Sequence, residues 1–386
     1  MLTMAVGHSD DVDPADAIAI VIDQCRASLG GAKAQAGILY TAFDSFDPSI
    51  IAAVGAAFPG VSLMGSTSAA EMSSVDGFHE ESMALALFAS DSVDITTGIG
   101  MGLGDDVDAA CRAAASQALA GTSREPKVCV VLTELFVVDP QRTLEAMTRA
   151  LPEGVVIVGG GSARQDFVTI TPTYQFRDDV VAQDGVVVLL FSGPVAFATT
   201  VGTGWRAIGA IGTVTRSTYG TVDEIDGQPA LDFVNRYLGG TGRATFGNML
   251  AAVEVDSDRS YLRGMLGSDP AIGSLQVGGW VPVGATVQLT TSDADDLIAG
   301  AETSLARAVH DFPVGATVEA ALIFSCAVRK YLLGSRTRVE AELVSSALGP
   351  SVPMAGMYTY GEIGPVEEAA SSRFHNETFV TLLLGT

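Results

Sequence analysis

The sequence predicts an α/β protein: layered mixed sheets built from repeated β-α-β-β units and arranged as two closely packed domains. Three observations carry that prediction. Short apolar runs alternate with segments of helical amphipathic spacing. Two of those helices open on Asp-Pro at matching offsets from the strand before them. Motifs near the two ends of the chain align position by position, which is the mark of an internal repeat.

The first copy begins at Ala36–Tyr40 (AGILY), an apolar run that reads as a buried strand. Asp47-Pro48 then supplies an N-cap and a proline at the first helical position, followed by Ile50, Ile51, Val54 and Phe58 on one face. Pro59-Gly60 stops that helix. Val61–Gly65 is the next strand, Ser66–Ala70 a loop of small residues, and Met83–Phe88 and Val93–Ile99 are further strands. A helix is expected from Asp105 to Leu119.

The order returns at Val128–Leu132, with Asp139-Pro140 opening a helix that carries Leu144, Met147 and Leu151. Val155–Val158 is a strand entering Gly159–Gly161, and Tyr174–Phe176, Val186–Phe191 and Val195–Thr200 complete the second copy. The third starts at Ala320–Ser325. Thr337 and Glu340 have capping-box spacing ahead of a helix, Pro353–Gly356 is its second strand and Phe379–Leu384 its last. GSTSAAE (Gly65–Glu71) aligns with GMYTYGE (Gly356–Glu362), and FHEESMALALF (Phe78–Phe88) with FHNETFVTLLL (Phe374–Leu384), so His79 and His375 are equivalent.

Different material separates copies two and three: a hairpin at Gly212–Glu224, a helix at Pro229–Leu238, a strand-rich stretch from Ala244 to Leu289, and a helix at Asp293–His310. The expected division is a leader helix in 1–35, one domain in 36–224 holding two repeats, and a second domain in 225–386 with the third repeat at 317–386.

Composition narrows the function. The chain has 386 residues, 21 Lys+Arg against 45 Asp+Glu, and a formal net charge of -24. Such a surface repels phosphate backbones and anionic lipid, so nucleic-acid and membrane-surface partners are excluded. The four cysteines, Cys25, Cys111, Cys129 and Cys326, form no CxxC pair or Cys/His cluster, which argues against a metal site. Met1–Asp16 lacks the basic start and apolar run of a signal peptide, and no apolar stretch is long enough for a membrane helix. A cytoplasmic protein is expected.

The motifs VSLMGSTSAAEM (Val61–Met72), VIVGGGSARQDF (Val156–Phe167), Trp205 with EIDGQPALDF (Glu224–Phe233), FSCAVRKYLLG (Phe324–Gly334) and AGMYTYGEIGP (Ala355–Pro365) resemble the FIST sensory proteins, with their N-terminal and C-terminal FIST domains. The resemblance implies a ligand-sensing module with an amino acid or similar small polar metabolite as ligand. It also implies a signalling output, such as a histidine kinase; no output domain is recognised in this chain, so a separate partner protein is expected.

Candidate site residues follow from position. Arg329 lies just beyond the strand Ala320–Ser325, where α/β sheets bind ligands, and a guanidinium there suits a carboxylate; the alternative is a structural ion pair with a nearby glutamate. Glu362 would hold a ligand ammonium, with Tyr358 and Thr359 lining the same loop. Glu71 and Thr67 are the counterparts in the first copy. His375 and Asn376 precede a core strand, where a structural role competes with ligand binding. Cys326 ends a buried strand and reads as inert. No cofactor motif emerges. Haem sensing of nitric oxide is the alternative function, with His8, His79, His310 and His375 as the available imidazoles, and an enzyme is a third reading, without a recognisable nucleophile or metal motif.

Overall fold

The computed structural model describes residues 1–166, 171–238, 248–253, 260–365 and 371–386. Its first unit runs β1 (Leu2–Ser9), α1 (Pro14–Leu29), β2 (Ala36–Ala42), α2 (Pro48–Ala57), β3 (Ser62–Ser68), β4 (Glu71–Ser73), β5 (Gly77–His79) and β6 (Met83–Ser90). The second repeats the order: β7 (Asp94–Met101), α3 (Val107–Ala120), β8 (Pro126–Thr133), α4 (Pro140–Ala150), β9 (Val156–Gly161), β10 (Gln175–Arg177), β11 (Val180–Ala182) and β12 (Gly185–Ser192).

The third unit opens with β13 (Ala196–Gly202) and is then interrupted. The insertion comprises β14 (Arg206–Thr218), β15 (Thr221–Ile225), β16 (Gln228–Pro229), α5 (Ala230–Leu238), β17 (Asn248–Val253), β18 (Ser260–Asp269), β19 (Ser274–Val277) and β20 (Thr286–Thr291). The unit resumes with α6 (Ala294–Asp311), β21 (Val318–Cys326), α7 (Ala327–Leu333), α8 (Arg338–Leu348), β22 (Met354–Thr359), β23 (Glu362–Gly364), β24 (Arg373–His375) and β25 (Phe379–Gly385).

The α/β class and the mixed sheets are as expected, and strand pairing crosses the expected divisions of the chain in three places. The segment read as a leader contributes β1, which pairs antiparallel with β6 along its whole length, and α1, started by Asp13 and Pro14. The strand assigned to the end of the second repeat is β13, which lies beside β25 in the third sheet. The break expected at residue 225 falls inside the inserted sheet, where β15 pairs with β14, β16 and β19. Residues 244–247 and 254–259 of the predicted strand-rich stretch lie outside the described residues.

Each unit builds a four-stranded sheet, and the three sheets face one another around a shared core. Strand alternation sorts the side chains. Ile38 and Tyr40, Val130 and Leu132, and Leu322 and Phe324 enter the common core. Leu39, Val131 and Ile323 turn outward under their own unit's helices. Each such apolar side chain contributes roughly 1.5–3 kcal/mol on burial, so no single unit is complete without the other two.

The short hairpins lock this arrangement cyclically. β4–β5 of the first unit extends the third unit's sheet beside β22, β10–β11 of the second extends the first beside β3, and β23–β24 of the third extends the second beside β9. Each exchange covers what would otherwise be an exposed sheet edge. Because the strands pair in this way, Ser66–Ser68 and Tyr358–Thr359 are strand residues and not loop. In the insertion, pairing of β14 with both β20 and β15 returns the sheet on itself around Val222, Phe233, Leu250, Leu275 and Leu289.

Thr337 does not form the expected capping box. Its hydroxyl donates to the Lys330 and Gly334 carbonyls, 3.1 and 2.7 Å away, because the chain enters α8 directly from a tight helical turn. Glu340 is thereby left for another partner. A capping box does form at α6, between Asp293 and Asp296.

Candidate functional site

Glu71 and Glu362 occupy matching cradles. Ser68 Oγ donates to Glu71 Oε1, and Ser82 donates to Oε2 from its amide at 3.3 Å and its hydroxyl at 2.6 Å. Around Glu362, Thr359 Oγ1 donates to Oε1 at 2.7 Å, and the Thr378 amide and hydroxyl both donate to Oε2 at 2.9 Å. Burial raises each carboxyl to about 7 against these donors. Each glutamate also faces the expected histidine: Glu71 pairs with His79 and Glu362 with His375 across their hairpins.

The third cradle holds an amide. Gln175 Oε1 accepts from the Gly185 amide at 3.1 Å, and its Nε2 donates to Ser162 Oγ at 3.0 Å. Strand register makes the three equivalent: Gln175 lies opposite Ser66, Glu362 opposite Gly160 and Glu71 opposite Met357, in each case the residue after the repeat glycine. Sequence reasoning missed Gln175 because the second unit's connection from β9 to β10 is longer, which removes the fixed offset from the glycine.

Arg329 is fully buried in a separate network. Its Nε and Nη2 donate to Glu340 Oε1 at 3.0 and 2.7 Å, Nη2 also to the Leu297 carbonyl and Nη1 to the Thr203 carbonyl, both at 2.8 Å. Glu340 Oε2 accepts from Ser325 Oγ and the Tyr358 hydroxyl, each at 2.8 Å. The guanidinium thus ties α8, α6 and the end of β13 together, which is the ion-pair alternative for this residue. Arg329 and Tyr358 share this network, while Glu362, Thr359 and His375 share the other. Thr67 is elsewhere again, its hydroxyl accepting from the Tyr174 amide at 3.1 Å.

His375 Nε2 faces the Gly364 carbonyl at 3.0 Å, and burial lowers its pKa to about 4, so the ring is neutral. His8 is also buried, between Ser73 Oγ and Ser82 Oγ at 2.9 Å each. His79 sits at the surface between Asp10 and Asp76, and His310 is exposed. Cys326 is buried and its thiol is pushed well above its ordinary pKa by burial, in keeping with an inert core residue.

Of the sequence candidates, Asn376 lines a cavity of about 360 Å³. The void lies where three parts of the molecule meet. Leu135 and Phe136 follow the end of β8, Tyr360 follows β22, and Phe374 and Asn376 come from the β24 segment. The insertion closes the other side with Tyr219, Leu266 and Gly278–Gly279. Phe136 and Tyr360 meet edge to face, 5.7 Å between ring centres. Asn376 Oδ1 accepts from the Gly264 amide at 3.3 Å, so the asparagine also fastens the insertion to the third unit. No charged side chain lines this cavity. Tyr360 and Phe374 belong to the motifs read from the sequence, whereas Phe136, Tyr219 and Leu266 carry no local signal.

Comparison with known proteins comes to the same family from sequence. A FIST N domain model matches residues 35–228 and a FIST C domain model residues 230–365. An uncharacterized protein of Mycobacterium tuberculosis (strain ATCC 25618 / H37Rv) is 30% identical over 237 residues, covering 58% of this chain and 59% of the relative. One of Mycobacterium bovis (strain ATCC BAA-935 / AF2122/97) is 30% identical over 221 residues, covering 54% and 55%. The chain therefore spans a little over half the length of these relatives. Among solved structures, a cyanuric acid hydrolase from A. caulinodans is similar over 99% of both chains at 10% identity and a TM-score of 0.33. A second cyanuric acid hydrolase covers the same shares at 9% identity and a TM-score of 0.38. Likeness at that level says nothing about chemistry here. FIST domains are sensory domains, and with the two family matches together spanning most of its length, this chain belongs to the FIST family.

Proposed function

We propose that this chain is a cytoplasmic small-ligand sensor that binds a small metabolite with an apolar body and one hydrogen-bonding end, and signals through a separate partner such as a histidine kinase. The carrying observation is the cavity of about 360 Å³ at the seam of the second unit, the third unit and the insertion. Its size is that of a small-molecule site, and its lining of aromatic and aliphatic groups around Asn376 suits an apolar body with one hydrogen-bonding end. A ligand there touches parts that no single sheet holds together. Occupancy therefore favours the arrangement in which the insertion is closed onto the two units, and that difference in surface is what a partner would read.

Neither alternative has comparable support. No histidine lines this cavity, which leaves haem without an imidazole ligand there, and its lining brings together no nucleophile and base. Calorimetric titration with the twenty amino acids and with neutral aromatic metabolites tests the proposal. Saturable binding by at least one apolar member is expected; a folded protein silent to the whole panel would overturn it.

A further inference from the structure

Among the described residues, Asn376 is the one buried polar side chain on the wall of the cavity between the second unit, the third unit and the insertion. The other polar side chains there are two tyrosines. The Tyr360 hydroxyl is turned to the Arg164 and Asp166 carbonyls, 3.2 and 2.8 Å away, and Tyr219 is 53% exposed.

The Gly264 amide fixes the direction of the Asn376 carboxamide. That amide can only donate, so the atom 3.3 Å from it is Oδ1, and the NH₂ group is the other end. Nδ2 makes no hydrogen bond among the described residues and is not closed off from the space around it. A Cβ at Gly278, on the same wall, would come within 3.0 Å of Oδ1 and 3.3 Å of Nδ2, so the carboxamide lies close against bare backbone. Glu80, its counterpart in the first copy, stands at the surface and pairs with Lys330 at 3.0 Å. The charges around the wall are of mixed sign: Asp139, Arg263 and Glu134 all act on Tyr219, and none of the three lines the cavity. The sense of hydrogen bonding inside is therefore set at Asn376, which offers a donor.

We propose that Asn376 is the specificity-determining residue of this cavity, its Nδ2 donating to a carbonyl-type oxygen at the polar end of an otherwise apolar ligand. The assignment rests on the cavity being the ligand site and names the polar group that the site takes. An ammonium end can only donate, so it meets a donor there and is refused.

Three probes share one skeleton: acetophenone carries the carbonyl, ethylbenzene lacks it, and 1-phenylethylammonium replaces it with a cation. The chain has three asparagines, so ¹⁵N-asparagine labelling of the full chain gives three side-chain amide pairs. In the wild-type protein acetophenone moves one pair saturably downfield, ethylbenzene does not, and 1-phenylethylammonium binds at least about tenfold more weakly than acetophenone. In Asn376→Ala that pair is absent, and the ratio of acetophenone to ethylbenzene affinity falls at least about fivefold, the scale of one hydrogen bond. The wild-type signals decide by themselves if the variant does not fold. Binding of the probes without a downfield amide shift, an equal shift with ethylbenzene, equal affinity for the ammonium, or an unchanged ratio in the variant overturns the role of Asn376 and leaves the cavity a ligand site. Silence of the folded wild-type chain to all three overturns the cavity as a ligand site, and the role of Asn376 with it.

Discussion

Arg329 and Glu340 form an ion pair with neither side chain exposed, the guanidinium Nη2 lying 2.7 Å from the carboxylate Oε1. The remaining guanidinium bonds go to carbonyls from two other elements, so removing the cation strands both a buried carboxylate and two carbonyl oxygens. Arg329→Met is expected to destabilise the fold by about 3–5 kcal/mol. Urea denaturation measures it, and a loss below roughly 1 kcal/mol would contradict the network described.

Burial raises the pKa values of Glu71 and Glu362 to about 7 from the ordinary 4.5, against the hydrogen-bond donors of their cradles. A folded-state value above the unfolded one means that this stabilisation is complete below about pH 4.5 and is lost as pH rises through 7. Each carboxyl contributes on the order of 3 kcal/mol across that interval. Gln175 fills the same cradle with an uncharged amide, so Glu362→Gln is expected to flatten the fall in stability between pH 5 and 8. Melting temperatures across that range check it, and an unchanged slope would place the pH dependence elsewhere.

Phe136 is 44% exposed at the rim of the cavity and contributes little to the core. Phe136→Ala should therefore weaken ligand binding by about tenfold, the scale of a lost aromatic contact, while the melting temperature stays within about 2 °C. Calorimetry with any ligand identified by the panel measures the first and a thermal scan the second. Equal affinity in the variant would move the ligand away from this wall.

Gly65, Gly159 and Gly356 are the repeat glycines, and each lies against the backbone of the neighbouring parallel strand. A methyl group at Gly65 would collide with the Leu39 carbonyl oxygen and the Phe176 ring, the latter belonging to the hairpin that the second unit lends to the first. Gly65→Ala is expected to cost about 1–3 kcal/mol, read as an earlier urea midpoint. Wild-type stability in that variant would mean that the exchanged hairpin is not closely packed.

Much of the architecture was legible from local pattern. The strands around Ile38, Val130 and Leu322, the Asp-Pro starts of α2 and α4, and the equivalence of His79 with His375 all follow from periodicity, capping chemistry and alignment, which act over a few residues. The site was less legible. Arg329 stood at a strand end as a ligand residue would, but its partner Glu340 was assigned to a helix cap, and only the packed helices show the two together. Phe136, Tyr219 and Leu266 are scattered through the chain and reach one cavity because the insertion closes onto the second unit.

By itself the sequence determined the α/β class, the threefold recurrence and the acidic character, because composition and hydrophobic period are properties of short segments. The tertiary structure decided which strands share a sheet. β1, β13 and the three exchanged hairpins join their sheets through backbone hydrogen bonds, which carry no residue signature, and the units need one another to bury a common core. It also decided the chemistry of the buried charges, since whether Arg329 meets a ligand or Glu340, and whether Glu362 is ionised, depends on what folding brings within hydrogen-bond reach and on how completely water is excluded.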